Sequence, residues 1–258
     1  MPRVLIAGET WVSFGLHLKG GATYQTGGYA TGLDALQAAL EAAGWDVVHI
    51  PNHLATLEFP GTIEALAGVD VVVLSDIPAD TLLLHPDTFD RGLRTPDRLS
   101  LLADWVAQGG GLLMVGGYMS FSGFEGKGRY QNTALAEVLP VRMLGHDDRI
   151  EAPAGVVPRQ VADHPVLHGI TGEWPWFLGY NRLLAKADAS VPLAVGEDPF
   201  LALGSHGRGR VAAFASDCSP HWGSPAFLEW PSYGPFWDQL LCWTAGLADA
   251  SGPGTAQA

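Results

Sequence analysis

The chain has 258 residues, of which 47% are hydrophobic and 16% charged, enough apolar side chain to bury a sizeable core and too little polar bias for a disordered chain. Its 27 acidic against 14 basic residues leave a formal charge of −13, which argues against sequence-independent attachment to nucleic acid or anionic lipid, since both need basic surface. Cys218 and Cys242 make no disulfide framework, the apolar stretch 4–7 is too short for a secretory signal, and no run reaches the ~18 apolar residues of a membrane helix. A soluble cytoplasmic protein is expected.

Apolar runs at 3–7, 47–50, 69–74 and 112–115 are short and nearly continuous, as parallel strands buried on both faces require. After the first comes a glycine-rich segment, 11–30, which reads as a long functional loop. The stretch TGLDALQAALEAAG then predicts a helix, with Thr31 as N-cap, Leu33, Leu36 and Leu40 on one face, and Gly44 as the stop. A second helix opens at Thr95-Pro96, buries Leu99, Leu102 and Val106, and closes at Gly109. Farther on, 200–205 and 210–215 flank HGRG as an antiparallel hairpin, and 235–246 predicts a helix carrying Phe236, Leu240 and Trp243. Strand–helix alternation of this kind predicts an α/β fold, a doubly wound, mostly parallel sheet with helices on both faces and a late antiparallel hairpin. One domain over 1–248 is expected, followed by a disordered tail, 249–258.

In open sheets of this type ligands gather beyond the carboxyl ends of the strands. Those positions hold Glu9, Thr10 and Trp11 after the first strand, Asn52 and His53 after the second, and Ser75 and Asp76 after the third. Residues 117–120 follow the fourth, and Asp217, Cys218 and His221 the last. Each has a plainer reading: Asp76 as a helix cap, Asn52 and His53 as surface turn residues, Lys127 and Arg129 as a surface turn pairing with Glu125. His146-Asp147-Asp148 reads as a turn bridged to Arg149. The strand running into Gly116-Gly117-Tyr118-Met119-Ser120 matches a nucleophile elbow, which lifts its central side chain above the sheet and leaves the following N–H groups for an oxyanion.

On "FPGTIEAL", "VVVLSDI", "GGGLLMVGGYMSFSG", "GKGRYQNT", "DDRIEAPAG", "GRGRVAAFASDCSPHWG" and "WPSYGPFWDQLLCWTAG" the chain resembles the class I glutamine amidotransferase-like superfamily, and within it a bacterial family of unassigned activity. The resemblance implies a flavodoxin-like fold. Working amidotransferases of this class carry a Gly-x-Cys-x-Gly elbow and a His-Pro-Glu turn. Here the cysteine position falls on Tyr118, the second glycine on Ser120, and His221 is followed by Trp222. A phenol with a pKa near ~10 cannot replace a thiol near ~8.5 as an acyl acceptor. Glutaminase activity is therefore not expected.

The leading expectation is a protein that acts on or binds a small polar metabolite. Tyr118, Glu9, Asp76 and His221 would handle protons, with Trp11, Ser120, Arg129, Asp217 and Trp222 around the ligand. Glu9, Asp76 and Tyr118 would end neighbouring strands and open into one cleft. Two alternatives stand beside it: a thiol hydrolase or amidotransferase using Cys218 with His221, and a non-catalytic ligand-binding or regulatory protein. No cofactor is expected and no metal, because His17, His53, Asp76, Asp217 and His221 lack a ligand spacing. A homodimer is expected, built on the tryptophan-rich C-terminal segment.

Overall fold

Side chains that are apolar on both sides of a strand can be buried only if both faces of the sheet are covered, and the four apolar runs do form adjacent parallel strands. In the computed structural model, which describes residues 1–247, the strands are β1 (Arg3–Gly8), β2 (Thr10–Lys19), β3 (Ala22–Thr31), β4 (Asp46–Ile50), β5 (Val71–Ser75), β6 (Gly111–Val115) and β7 (Val141–Arg142). They continue as β8 (Arg149–Val156), β9 (Arg159–Gln160), β10 (Phe177–Asn181), β11 (Leu184–Ala185), β12 (Ser190–Val195), β13 (Asp198–His206) and β14 (Gly209–Phe214). The α-helices are α1 (Asp34–Ala42), α2 (Asn52–Glu58), α3 (Ala79–Leu83), α4 (Pro86–Phe89), α5 (Arg98–Ala107), α6 (Leu135–Val138), α7 (Pro225–Leu228) and α8 (Tyr233–Thr244). The tail expected to be disordered, 249–258, lies outside the described residues.

Eight strands form one sheet in the order β4-β1-β5-β6-β14-β13-β12-β9. The first five run parallel, and β13, β12 and β9 extend the sheet antiparallel. Among the parallel strands the spatial order is second, first, third, fourth, fifth, which is the flavodoxin-like winding. Helix α1 packs with α8, while α2, α3 and α5 form a separate group. Right-handed crossovers that change direction at β1 put the two groups on opposite faces. The crevice between β1 and β5 opens where the direction changes.

Local boundaries differ from the expectations in three places. Thr31 ends β3 and its hydroxyl meets the N–H of Leu33 at 3.3 Å, so α1 begins at Asp34, beyond the expected cap. Helix α5 begins at Arg98, because Asp97 accepts from the N–H groups of Leu99 and Ser100, each at 3.0 Å, and a carboxylate caps better than the upstream Thr95. The segment 11–30 is no loop. It forms the β2–β3 hairpin around Gly20-Gly21, and the alternation of Val12, Phe14, Leu16 and Leu18 is the period of a strand.

The C-terminal aromatics close the core. Phe236, Trp237 and Leu240 are fully buried, with the Trp237 ring 5.1 Å from Phe214 on β14. Trp230 and Trp243 of the same segment are half-buried.

Gly8 shows how tightly β1 meets β5. Its φ is +118°, and a Cβ there would lie 1.7 Å from the carbonyl oxygen of Ser75. Gly8→Ala is expected to lose about 3 kcal/mol or more of unfolding free energy in urea titrations. An unchanged midpoint would contradict this packing.

Candidate functional site

The chain leaves β1 and β5 through residues held in left-handed backbone. Glu9 has φ 53° and Asp76 φ 44°, and His221, beyond β14, has φ 145°. For side chains with a Cβ such conformations cost of order 1–3 kcal/mol each, and they collect at functional sites. The Glu9 N–H is held by the Ser75 carbonyl at 3.0 Å. The Asp76 N–H is held by the hydroxyl of Ser120 at 3.0 Å, which itself donates to the Val115 carbonyl at 2.6 Å. Asn52 completes the latch, its side-chain amide donating to the carbonyls of Thr10 and Asp76 at 2.7 and 3.1 Å.

Above these turns lies a cavity of about 330 Å³. Three carboxyl groups line it, Glu9, Asp76 and Asp217, together with His221 and the rings of Trp11 and Tyr118. Glu9 is fully buried, and the Ser75 hydroxyl donates to its Oε1 at 2.5 Å. Burial, and then the charges of Asp217 and Asp76, push its pKa well above the usual carboxylate range. Burial and Asp217 likewise push Asp76 up to about 6, although the Met119 N–H donates to its Oδ1 at 2.7 Å. His221 is raised by Asp217, whose Oδ2 lies 3.6 Å from Nδ1. Asp217 also accepts from the N–H and hydroxyl of Ser219, at 3.1 and 2.8 Å.

Tyr118 stands at the rim of this group with its proton committed. Its hydroxyl donates to Glu151 Oε1 at 2.8 Å, and the other carboxylate oxygen accepts from Trp222 Nε1 at 3.1 Å. The Arg149 guanidinium lies 4.5 Å from the centre of the phenol ring, and His221 meets that ring edge-on at 4.4 Å. Burial and then Glu151 raise the phenol's pKa, so Tyr118 is a poor base at neutral pH.

The elbow differs from expectation in a way that bears on chemistry. The special backbone falls on Gly117, at φ +148°, where a Cβ would come within 2.9 Å of Asp76 Oδ1. Of the N–H groups after Tyr118 expected to wait for an oxyanion, that of Met119 is taken by Asp76; the Gly117 N–H, before it, donates to Asn181 Oδ1 at 3.0 Å. A carboxylate of the protein sits where a substrate's oxyanion would have to bind.

Several residues expected around a ligand are elsewhere. Arg129 pairs with Asp80 at 2.7 Å on the surface and does not line the cavity. Ser120 is a backbone latch, as described. Trp222 is buried behind Tyr118, at a centroid distance of 5.6 Å, and supports Glu151. His17 stacks on Tyr24 of the hairpin and His53 meets Tyr29 edge-on, so neither converges with Asp76 and His221. Lys127 pairs with Glu125, and Arg149 with Asp147, as their plainer readings hold.

Cys218 is fully buried, with its sulfur 3.7 Å from the Ser75 hydroxyl. Burial, then Glu9 and Asp217, drive its pKa well up. Ligand atoms of Glu9, Asp217 and Cys218 lie within 4.8 Å of one another, the one such grouping among the described residues. A cation there would have to displace the protons that burial and mutual repulsion favour on Glu9 and Cys218.

Sequence reasoning did not place Glu151, Asn181 or Asp148 in this neighbourhood. Asp148 accepts from the N–H groups of Ser122 and Gly123, each at 2.9 Å, and from Asn181 Nδ2 at 2.8 Å. Glu151 and Asn181 come from β8 and β10, a two-stranded sheet of their own whose pairing leaves no local signature.

Residues 3–246 match the family model described as "Putative glutamine amidotransferase". The chain belongs to this family. Among solved structures the family fold is similar to "Cytoplasmic Protein STM3548" from Salmonella typhimurium, at 42% identity over 93% of this chain and 98% of that one, with a TM-score of 0.90. It is similar also to "Cytoplasmic Protein STM1381" from Salmonella typhimurium LT2, at 46% identity over 94% and 99% of the two chains and a TM-score of 0.90. A thua-like protein from Bacteroides uniformis ATCC 8492, 12% identical over 94% and 91% at a TM-score of 0.52, shares the fold alone. No curated protein matches the chain. Among the described residues no helix is long and apolar enough to cross a membrane.

Crowded carboxyl groups make this family member's stability depend on pH. The folded pKa of Asp76, about 6, lies above that of an ordinary aspartate, about 3.9. The contribution is therefore full below about pH 4 and is lost as pH rises through about 6, a change on the order of 3 kcal/mol. Glu9 and His221, both raised, act in the same direction. Asp76→Asn keeps an acceptor for Met119 and tolerates the left-handed backbone. It is expected to raise the thermal midpoint at pH 8 and to leave it unchanged near pH 4; equal effects at both would contradict the electrostatic account.

Proposed function

We propose that the chain is an acid–base enzyme acting on a small polar metabolite, with no covalent thiol step. One observation carries the reading: Glu9, Asp76 and His221, each in strained backbone, surround a single cavity together with a third carboxylate. Packing alone does not call for this arrangement. Its strain and its repulsion both oppose folding, and such costs gather where proton chemistry needs them. A cavity of about 330 Å³ lies at the small end of ligand sites and suits a metabolite rather than a polymer.

The roles follow from the protonation each environment favours. Glu9, whose burial and carboxylate neighbours favour its protonated form, is the general acid. Asp76, near 6, can give and take a proton around neutrality and is the general base. His221, oriented by Asp217 and by the Tyr118 ring, carries positive charge more readily than a free histidine and offsets the anionic wall. Tyr118 is a positioning residue. Glutamine hydrolysis through a thioester has no support here: the Cys218 thiol is driven away from its thiolate, and the Met119 N–H of the elbow is occupied by Asp76.

The test is incubation with a panel of small polar metabolites, followed by proton NMR for consumption. Turnover should fall 100-fold or more in Glu9→Gln and in Asp76→Asn, the loss typical of a removed acid or base, and stay within a few-fold in Cys218→Ser. Glutamine should release no ammonia. Turnover abolished by Cys218→Ser alone would install the thiol mechanism instead. A ligand bound tightly and never converted would make the site a sensor.

A further inference from the structure

We propose that the β2–β3 hairpin is an arm through which two copies of this chain associate. This does not depend on the chemistry assigned to the cavity. The strands pair from Thr10 opposite Thr31 to Lys19 opposite Ala22, and alternate residues face opposite sides. Val12, Phe14, Leu16 and Leu18 therefore share one face, joined by Tyr29 across from Val12. These five side chains are 50%, 82%, 64%, 71% and 55% exposed in that order. From Trp11 to Tyr29 every residue is exposed except the half-buried Gly15.

The arm is fastened at its root. Asn52 holds Thr10 through its N–H and side chain at 2.8 and 2.7 Å, and Tyr29 rests edge-on against His53 at 5.3 Å. A two-stranded ribbon is marginally stable in water, and one presenting a continuous apolar stripe is a template for association. That stripe exposes on the order of 500 Å² of apolar surface, as much as the largest patch tolerated on most monomers.

Charge selects the occupant. All 27 acidic residues lie outside 10–31, while the hairpin carries Lys19 and His17. The docking stripe is uncharged, with Lys19 and His17 on the arm's other face, so an arm free of carboxylates can settle on the acidic body of a second copy, whereas two bodies meeting directly would repel. A two-fold pair exchanging arms covers two such stripes and equal areas of the partner, on the order of 2,000 Å² in all, which is the size of a stable interface. The expected homodimer is thus moved from the C-terminal helix to the opposite end of the sequence.

Light scattering on the full chain at tens of micromolar should give twice the 27.3 kDa monomer mass. Phe14→Glu combined with Leu16→Glu should give the monomer mass with an unchanged circular dichroism spectrum, since neither side chain touches the core. A benzophenone side chain placed at position 18 should crosslink one copy to another. A wild-type monomer, a dimer that survives the double substitution, or a crosslink confined within one chain would each overturn the proposal. So would a monomer that floats with phosphatidylcholine vesicles, which would make the stripe a lipid contact.

Discussion

Glu9, Asp76 and Asp217 meet in one small cavity, and their mutual repulsion is the constraint on which the rest of the site depends. Like charges in a low-dielectric pocket do not ionise independently. The neighbourhood is arranged around holding them there. Ser75 donates to Glu9, the elbow's Met119 N–H donates to Asp76, Ser219 donates to Asp217, and His221 supplies the compensating charge. Each partner moderates the repulsion without removing it. The result is that Glu9 and Asp76 hold their protons above the usual carboxylate range.

The turn after β6 is used differently from a nucleophile elbow. In a cysteine hydrolase the turn raises a nucleophile, and its N–H groups receive a substrate oxyanion. Here the raised side chain is a phenol whose hydroxyl is donated to Glu151, and Asp76 occupies a receiving N–H group. The same backbone donors now hold one of the protein's own carboxylates. Gly117 is required by that contact, since any Cβ would crowd Asp76.

The parallel sheet, its helices and the late hairpin were legible in the sequence because each rests on local pattern: valine runs, helical leucine spacing and strand pairs around Gly-containing turns. Placing Glu9, Asp76, Tyr118, Asp217 and His221 around one cavity needed only the rule that strand ends converge at a change of winding. What was not legible depended on long-range pairing. Glu151 and Asn181 reach Tyr118 and Gly117 through a separate two-stranded sheet, and nothing near them in sequence marks that. Arg129 shows the opposite failure, a residue close in sequence to the elbow whose side chain turns outward to Asp80. The glycine content of 11–30 reads as a loop, while the two-residue alternation of Val12, Phe14, Leu16 and Leu18 is that of the strand the structure shows.

The most direct measurement is a pH titration of the carboxyl carbons of Glu9 and Asp76 by carbon-13 NMR. The account predicts that Glu9 titrates well above the usual carboxylate range and that Asp76 titrates near 6. Both groups titrating at about 4, where unperturbed carboxylates do, would contradict it.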